Sequence, residues 1–201
     1  MPLRPPASFA ELSPDTVLDA LQSLNLHGDG RLLALNSYEN RVYQVGMDGA
    51  VPVIAKFYRP GRWTDAAIRE EHQFVDALYA QEIPVVPAMH IANDTLHVHE
   101  GYRFAVFSRQ GGRAPELDRD ETLEQMGRLM GRIHAVGADH SYQHRPTLDV
   151  DSFGDEPRAW LLAHDFIPPD LRASWESVTA QALEIVRLCY ERAGALRYLR
   201  L

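Results

Sequence analysis

The sequence predicts an α+β chain in two parts, an antiparallel meander carrying one helix, followed by a mostly helical part. Three observations predict it. Short strand-like runs lie before residue 108, an Asp-Gly hairpin signal joins two of them, and beyond residue 115 apolar residues recur at helical steps. Strands followed by helices, with no internal repeat or low-complexity tract, is the segregated order of an α+β fold.

After a proline-rich start at Pro2, Pro5 and Pro6, Ser13-Pro14-Asp15 reads as an N-cap with proline in the first turn. Val17, Leu18, Leu21 and Leu24 then follow at helical spacing. Strands are predicted over 31–35, 41–45 and 51–58, the last two separated by the turn residues Gly46-Met47-Asp48-Gly49. Thr64 caps a helix running to about residue 80, with Ile68, Glu71, Phe74, Val75 and Leu78 on one face. A carboxylate on that apolar face, Glu71, needs a partner. Further strands over 88–91 and 95–99 flank a turn at 92–94, and 102–107 supplies another.

The polar segment 108–115, with Gly111-Gly112, reads as a hinge between a lobe at 1–107 and a partial helical lobe at 116–201. In the second lobe Leu123, Met126, Leu129, Met130 and Ile133 make one stripe, and a helix over 171–193 carries Trp175, Val178, Ala182, Ile185 and Val186.

At 201 residues, with 45% hydrophobic and 24% charged residues, the chain can bury a substantial core. A formal net charge of -8 without a basic run excludes a general nucleic-acid binder. Cys189 is the single cysteine, so no intrachain disulfide forms, and its neighbours Ile185, Val186 and Leu188 predict a packed thiol. No signal-peptide core and no apolar stretch of about 20 residues is present, so a cytoplasmic protein without a membrane partner is expected.

Lys56 is the sole lysine among 20 Lys and Arg residues, and it ends the run Val53-Ile54-Ala55-Lys56. Arginine is a broad planar fork, lysine a compact ammonium on a thin stem, so the exception points to a narrow slot. In protein kinases a lysine closing such a strand meets the phosphates of ATP and an acidic residue of the next helix. Glu71 stands at that place here. The turn Asn36-Ser37-Tyr38-Glu39-Asn40 lies where kinases carry a glycine-rich loop, yet holds no glycine. Its backbone amides and the Ser37 hydroxyl are the available phosphate donors.

Other constellations are weaker. His27-Gly28-Asp29 precedes the first strand and lacks an asparagine five residues later, where Ala34 stands, so it reads as a connector. His97 with His99, and His140 with His144, have pairwise metal spacing without a third ligand. His134, after Ile133 on an apolar stripe, reads as a core histidine.

At these residues the sequence becomes recognisable. Leu35-Asn36-Ser37-Tyr38-Glu39-Asn40-Arg41-Val42-Tyr43-Gln44, Lys56-Phe57-Tyr58-Arg59-Pro60, Glu70-Glu71-His72-Gln73-Phe74 and His144-Arg145-Pro146-Thr147 carry the likeness. Phe104-Ala105-Val106-Phe107 before Gly111-Gly112 adds to it. Over nearly the whole chain the sequence resembles the family of bacterial stress response kinase A, the RdoA-type Ser/Thr protein kinases.

The resemblance implies a two-lobed, protein-kinase-like (aminoglycoside-phosphotransferase-like) fold, with ATP and Mg2+ used to phosphorylate Ser or Thr of a protein substrate, and a monomer at full length. It makes Lys56 the phosphate-contacting lysine and Glu71, in preference to Glu70, its helix partner. Ser37 would contact ATP from the phosphate loop, and the backbone of Val106, Phe107 and Ser108 would bond the adenine. It also sets the family's catalytic loop and metal-binding aspartate after a strand like that at 198–201. Those residues are expected beyond Leu201, and little or no transfer is expected of this chain alone. Two alternatives stand beside this reading, a kinase of the same fold acting on an aminoglycoside, choline or homoserine-like hydroxyl, and a noncatalytic nucleotide-binding module.

Overall fold

A computed structural model describes residues 8–201. Pro2, Pro5 and Pro6 lie outside the described residues. Contacts divide the chain into two units, one running to His144 and taking in Leu199–Leu201, the other Arg145–Tyr198.

The first unit opens with α1 (Pro14–Gln22), where the Ser13 side chain accepts the Thr16 N–H at 3.0 Å. Three strands follow, β1 (Gly28–Leu35), β2 (Arg41–Met47) and β3 (Ala50–Phe57). The β2–β3 turn is tighter than expected, only Asp48 and Gly49, and Gly49 supplies the left-handed residue at φ 64°. Helix α2 (Asp65–Ala80) starts as predicted at Thr64, whose side chain accepts the Ala67 N–H at 3.1 Å. After it come β4 (His97–His99), β5 (Tyr102–Ser108) and α3 (Asp120–Gly137). All pairings are antiparallel, in the order β1-β2-β3-β5-β4.

Alternation along β3 and β5 sorts the core onto two faces. Ala55, Phe57, Phe104 and Val106 pack with Val17, Ala20 and Leu21 of α1, and the Phe57 and Phe104 rings stack at 5.2 Å. On the other face Tyr58 and Ala105 meet Ile68 of α2 and Leu96. Beyond it Phe74, Leu78 and Ile83 take Leu129, Ile133 and Val136 of α3. The sheet therefore lies between α1 and α2, and α2 between the sheet and α3.

Several expectations need correction. Residues 88–91 form no strand: Ala88 makes one bridge to Phe107 and the Met89 N–H bonds the Val106 carbonyl, but Ile91 turns back through Ala92 and Asn93, both with positive φ, to pair with Asp94. Residues 198–201 are not a strand either. Arg200 instead donates its N–H to the Gly137 carbonyl at 3.1 Å and sets its guanidinium 4.9 Å from the Phe74 ring centroid. His134 lies on the exposed side of α3 rather than in the core.

In the second unit a π-helical turn (Asp151–Asp155) runs into α4 (Glu156–Ala163), followed by α5 (Pro169–Ala193). The short α4 has no clear periodic signal. Gly154 in that turn packs closely on α5: a Cβ there would stand 2.4 Å from Leu183 Cδ2, so a larger residue would require the leucine side chain to shift. Arg158 ties the two helices through Thr179 Oγ1 at 2.9 Å and the Glu176 carbonyl at 3.0 Å, and Arg187 reaches Asp155 at 2.5 Å. Much of the apolar surface of α5, including Val178, Ile185 and Leu188, is exposed. Cys189 is exposed with it, contrary to the packed thiol expected, because that surface is uncovered among the described residues.

Candidate functional site

Because Ala55 and Phe57 point into the α1 core, Lys56 between them faces α2. Its Nζ lies 3.0 Å from Glu71 Oε1, with the two side chains 23% and 32% exposed. An ion pair this open to water contributes at most about 1 kcal/mol to stability. Its position therefore calls for a reason other than stability. Glu70, one residue earlier, turns elsewhere and accepts the backbone N–H groups of Gln143 and His144 at 2.6 and 2.8 Å.

Directly paired residues share a sheet face, so the register lays two rows across four strands. One is Leu35, Val42, Lys56, Ala105; the next is Leu33, Gln44, Ile54, Phe107. Leu33 and Leu35 are 57% and 37% exposed, which leaves an open apolar strip beside the ammonium.

Ser37 sits exposed in the β1–β2 loop. None of residues 36–40 has positive φ, so the loop keeps its shape without glycine. Side chains anchor it to the segment after β3. Glu39 accepts Trp63 Nε1–H at 3.0 Å and lies 3.4 Å from Arg62, and Asn40 Oδ1 accepts the Arg59 N–H at 3.2 Å. At the end of β5, Val106 is fully buried and its carbonyl accepts the Met89 N–H at 2.7 Å. Phe107 is half-buried toward α2, and Ser108 is exposed. The structure thus brings Lys56 and Glu71 into contact and sets Ala105 and Phe107 on the same face as Lys56, with Val106 turned into the opposite core.

Behind the ion pair lies a buried polar chain that no sequence pattern singles out, since its partners are 14 and 23 residues apart. Tyr58 Oη lies 2.6 Å from His72 Nε2, and His72 Nδ1 lies 2.8 Å from Thr95 Oγ1. Burial, with a smaller push from the Lys56 charge, lowers the His72 pKa to about 4. A neutral ring satisfies both neighbours, one nitrogen donating and the other accepting. Asp94 accepts the Thr95 N–H at 2.8 Å and pairs with Arg69 of α2 at 2.8 Å, a contact that holds its carboxyl well below the usual carboxylate range. Among the described residues no group of three or more His, Cys, Asp or Glu side chains could hold a metal ion. No helix among them is long and apolar enough to cross a membrane.

A family model described as phosphotransferase enzyme family matches residues 31–190. The chain belongs to that family. It is 40% identical over 179 residues to stress response kinase A of Escherichia coli strain K12, covering 89% of this chain and 55% of that one. To the serine/threonine protein kinase RdoA of Salmonella typhimurium it is 37% identical over 183 residues, covering 91% and 56%. The chain thus spans about half the length of the curated relatives it matches. Among solved structures, an amicoumacin kinase in complex with AMP-PNP and Ca2+ superposes with a TM-score of 0.64 at 17% identity, covering 86% of this chain and 53% of that one. A microcompartment-associated aminopropanol kinase gives 0.56 at 22%, covering 71% and 48%. These two likenesses establish the α+β fold of phosphotransferases.

Proposed function

We propose that this chain is the nucleotide-holding part of an ATP-dependent Ser/Thr protein kinase of the stress-response type. The observation that carries the reading is the 3.0 Å contact between the sole lysine, Lys56, and Glu71, beside an open apolar strip of the sheet. Lys56 supplies the single compact charge that suits the α/β-phosphates, and Glu71 keeps it extended toward them. Ser37 offers a hydroxyl from a loop already held in shape by Glu39 and Asn40. The strip of Leu35, Val42 and Ala105 suits the adenine face, and the backbone of Val106 to Ser108 its polar edge.

Transfer of the γ-phosphoryl group needs a carboxylate to orient the acceptor hydroxyl and ligands for a divalent ion. Among the described residues no group of three or more His, Cys, Asp or Glu side chains fits such an ion. The proposal assigns those groups to the portion of the relatives that this chain does not match. It includes Mg2+ as the ion, a protein hydroxyl as the acceptor, a cytoplasmic location, and a monomer at full length. The division into a lobe at 1–107, a hinge at 108–115 and a helical lobe from 116 belongs to the same reading.

A second reading has its own support, since both solved structures named above are kinases of small molecules. Calorimetry with ATP and Mg2+ tests the first step: binding by the chain is expected, and it should weaken by about tenfold or more in Lys56→Ala. No heat from the unmodified protein would overturn the nucleotide assignment. A screen of casein-type proteins against amino alcohols and aminoglycosides, with the complete gene product, decides the acceptor, and transfer to small hydroxyls only would favour the second reading.

A further inference from the structure

Helix α2 and the end of β3 are joined by two parallel links. Lys56 meets Glu71 at the surface, while Tyr58 meets His72 beneath it. The two links are also coupled sideways, because the Lys56 ammonium lies 4.7 Å from the centroid of the Tyr58 ring. The inner link is deeply buried, with Tyr58, His72 and Thr95 only 3%, 2% and 6% exposed. Three buried polar side chains that satisfy one another are costly to separate, because each would lose its partner without gaining water. Rotating α2 by one residue would bring Glu70 or His72 round to Lys56, and would break both His72 bonds at once. Thr95 is itself fixed from two sides, by His72 and through Asp94 by Arg69, so α2 is gripped at two of its turns.

We propose that Tyr58, His72 and Thr95 are positioning residues for Lys56: their buried hydrogen-bonded chain sets the rotation of α2, and so holds Glu71, not Glu70, against the ammonium. The inference rests on the reading of Lys56 and Glu71 as the nucleotide-holding pair. The Tyr58 ring lies beside the lysine ammonium, and its buried hydroxyl reaches α2 through His72.

The unique lysine makes this measurable. In the 201-residue chain grown with 13C-labelled lysine, one side-chain methylene signal reports Lys56, shielded by the Tyr58 ring and perturbed by Glu71→Gln. Tyr58→Phe keeps the ring and removes the hydroxyl. It is expected to move the lysine signal toward that of Glu71→Gln and to weaken ATP binding about threefold or more, the scale of one neutral hydrogen bond. Thr95→Val, which removes only the distal hydroxyl, is expected to move the signal the same way and serves if Tyr58→Phe does not fold. A lysine signal unchanged in the folded variants overturns the proposal, and so does failure of both variants to fold, since the chain would then hold the fold and not the pair. The signal is read without nucleotide, so the two readings fail separately. If ATP does not bind while Tyr58→Phe shifts the lysine, the nucleotide assignment falls and the positioning stands; if ATP binds and Tyr58→Phe changes nothing, the reverse holds.

Discussion

Glu70 and Glu71, neighbours in α2, serve different parts of the molecule: Glu71 receives the Lys56 ammonium at 3.0 Å, and Glu70 receives the backbone amides of Gln143 and His144 at 2.6 and 2.8 Å. Successive helical residues diverge by about 100°, so one carboxylate faces the sheet while the other pins a loop. Glu71→Gln is expected to weaken ATP binding with little loss of stability. Glu70→Gln should do the opposite, lowering unfolding free energy by about 1–2 kcal/mol, the scale of hydrogen bonds to a charged acceptor. Calorimetry and urea denaturation on both variants check this, and equal effects on binding would refute the division of labour.

Charge alone does not account for Lys56. Its ammonium contacts Glu71 while lying over Tyr58, in a space bounded by Val42 and Ala105 in the sheet. Lys56→Arg, which preserves the charge but widens the head, should bind ATP at least about tenfold more weakly. Near-native affinity in that variant would show that the slot is not narrow.

His72 gives stability a pH dependence. Its pKa is lowered in the folded state from 6.5 to about 4, chiefly by burial, so the unfolded chain binds the proton first as pH falls. The contribution is complete above pH 6.5, declines between 6.5 and 4, and stops changing below 4, for a total of about 3 kcal/mol. His97, lowered also by burial, adds in the same direction, while the carboxylate of Asp94 loses its contribution only in stronger acid. Urea unfolding across this range should slope by about one proton more in the native sequence than in His72→Gln. Parallel slopes would remove His72 from the explanation.

The glycine-free loop depends on its side-chain anchors. Glu39→Ala removes the acceptor of Trp63 Nε1–H and the partner of Arg62. Amide exchange in residues 36–40 should accelerate, and ATP affinity should fall by roughly threefold to tenfold as the loop loses its preset shape. Unchanged exchange would show that the backbone holds the loop by itself.

Exposed apolar residues on α5 have an expected consequence in solution. Val178 and Ile185 are 64% and 61% exposed and stand two helical turns apart on one side. Light scattering on the isolated chain should show concentration-dependent self-association, reduced in Val178→Glu/Ile185→Glu. A monomer at all concentrations would show that these side chains are individually harmless.

Much of the first unit was legible before any coordinates because its signals are local. Ser13 and Thr64 cap helices with oxygens that reach backbone donors three residues away, Asp48-Gly49 makes a tight turn, and the alternation in β3 puts Lys56 opposite the Ala55 and Phe57 face. The segments at 88–91 and 198–201 failed the same test. Residues 88–91 touch β5 only at Ala88 and Met89 before Ile91 turns back on Asp94, and at 198–201 the backbone of Arg200 bonds the end of α3 at Gly137 rather than a strand.

Strands, caps and the helix face bearing Glu71 were thus determined by composition and spacing within a few residues, where backbone geometry leaves few choices. Packing alone decided that Glu70 would bind the amides of Gln143 and His144, that Tyr58, His72 and Thr95 would join behind the ion pair, and that Cys189 would stand exposed. Those outcomes depend on residues far apart in the chain competing for the same buried space and the same hydrogen-bond partners, which no short stretch of sequence records.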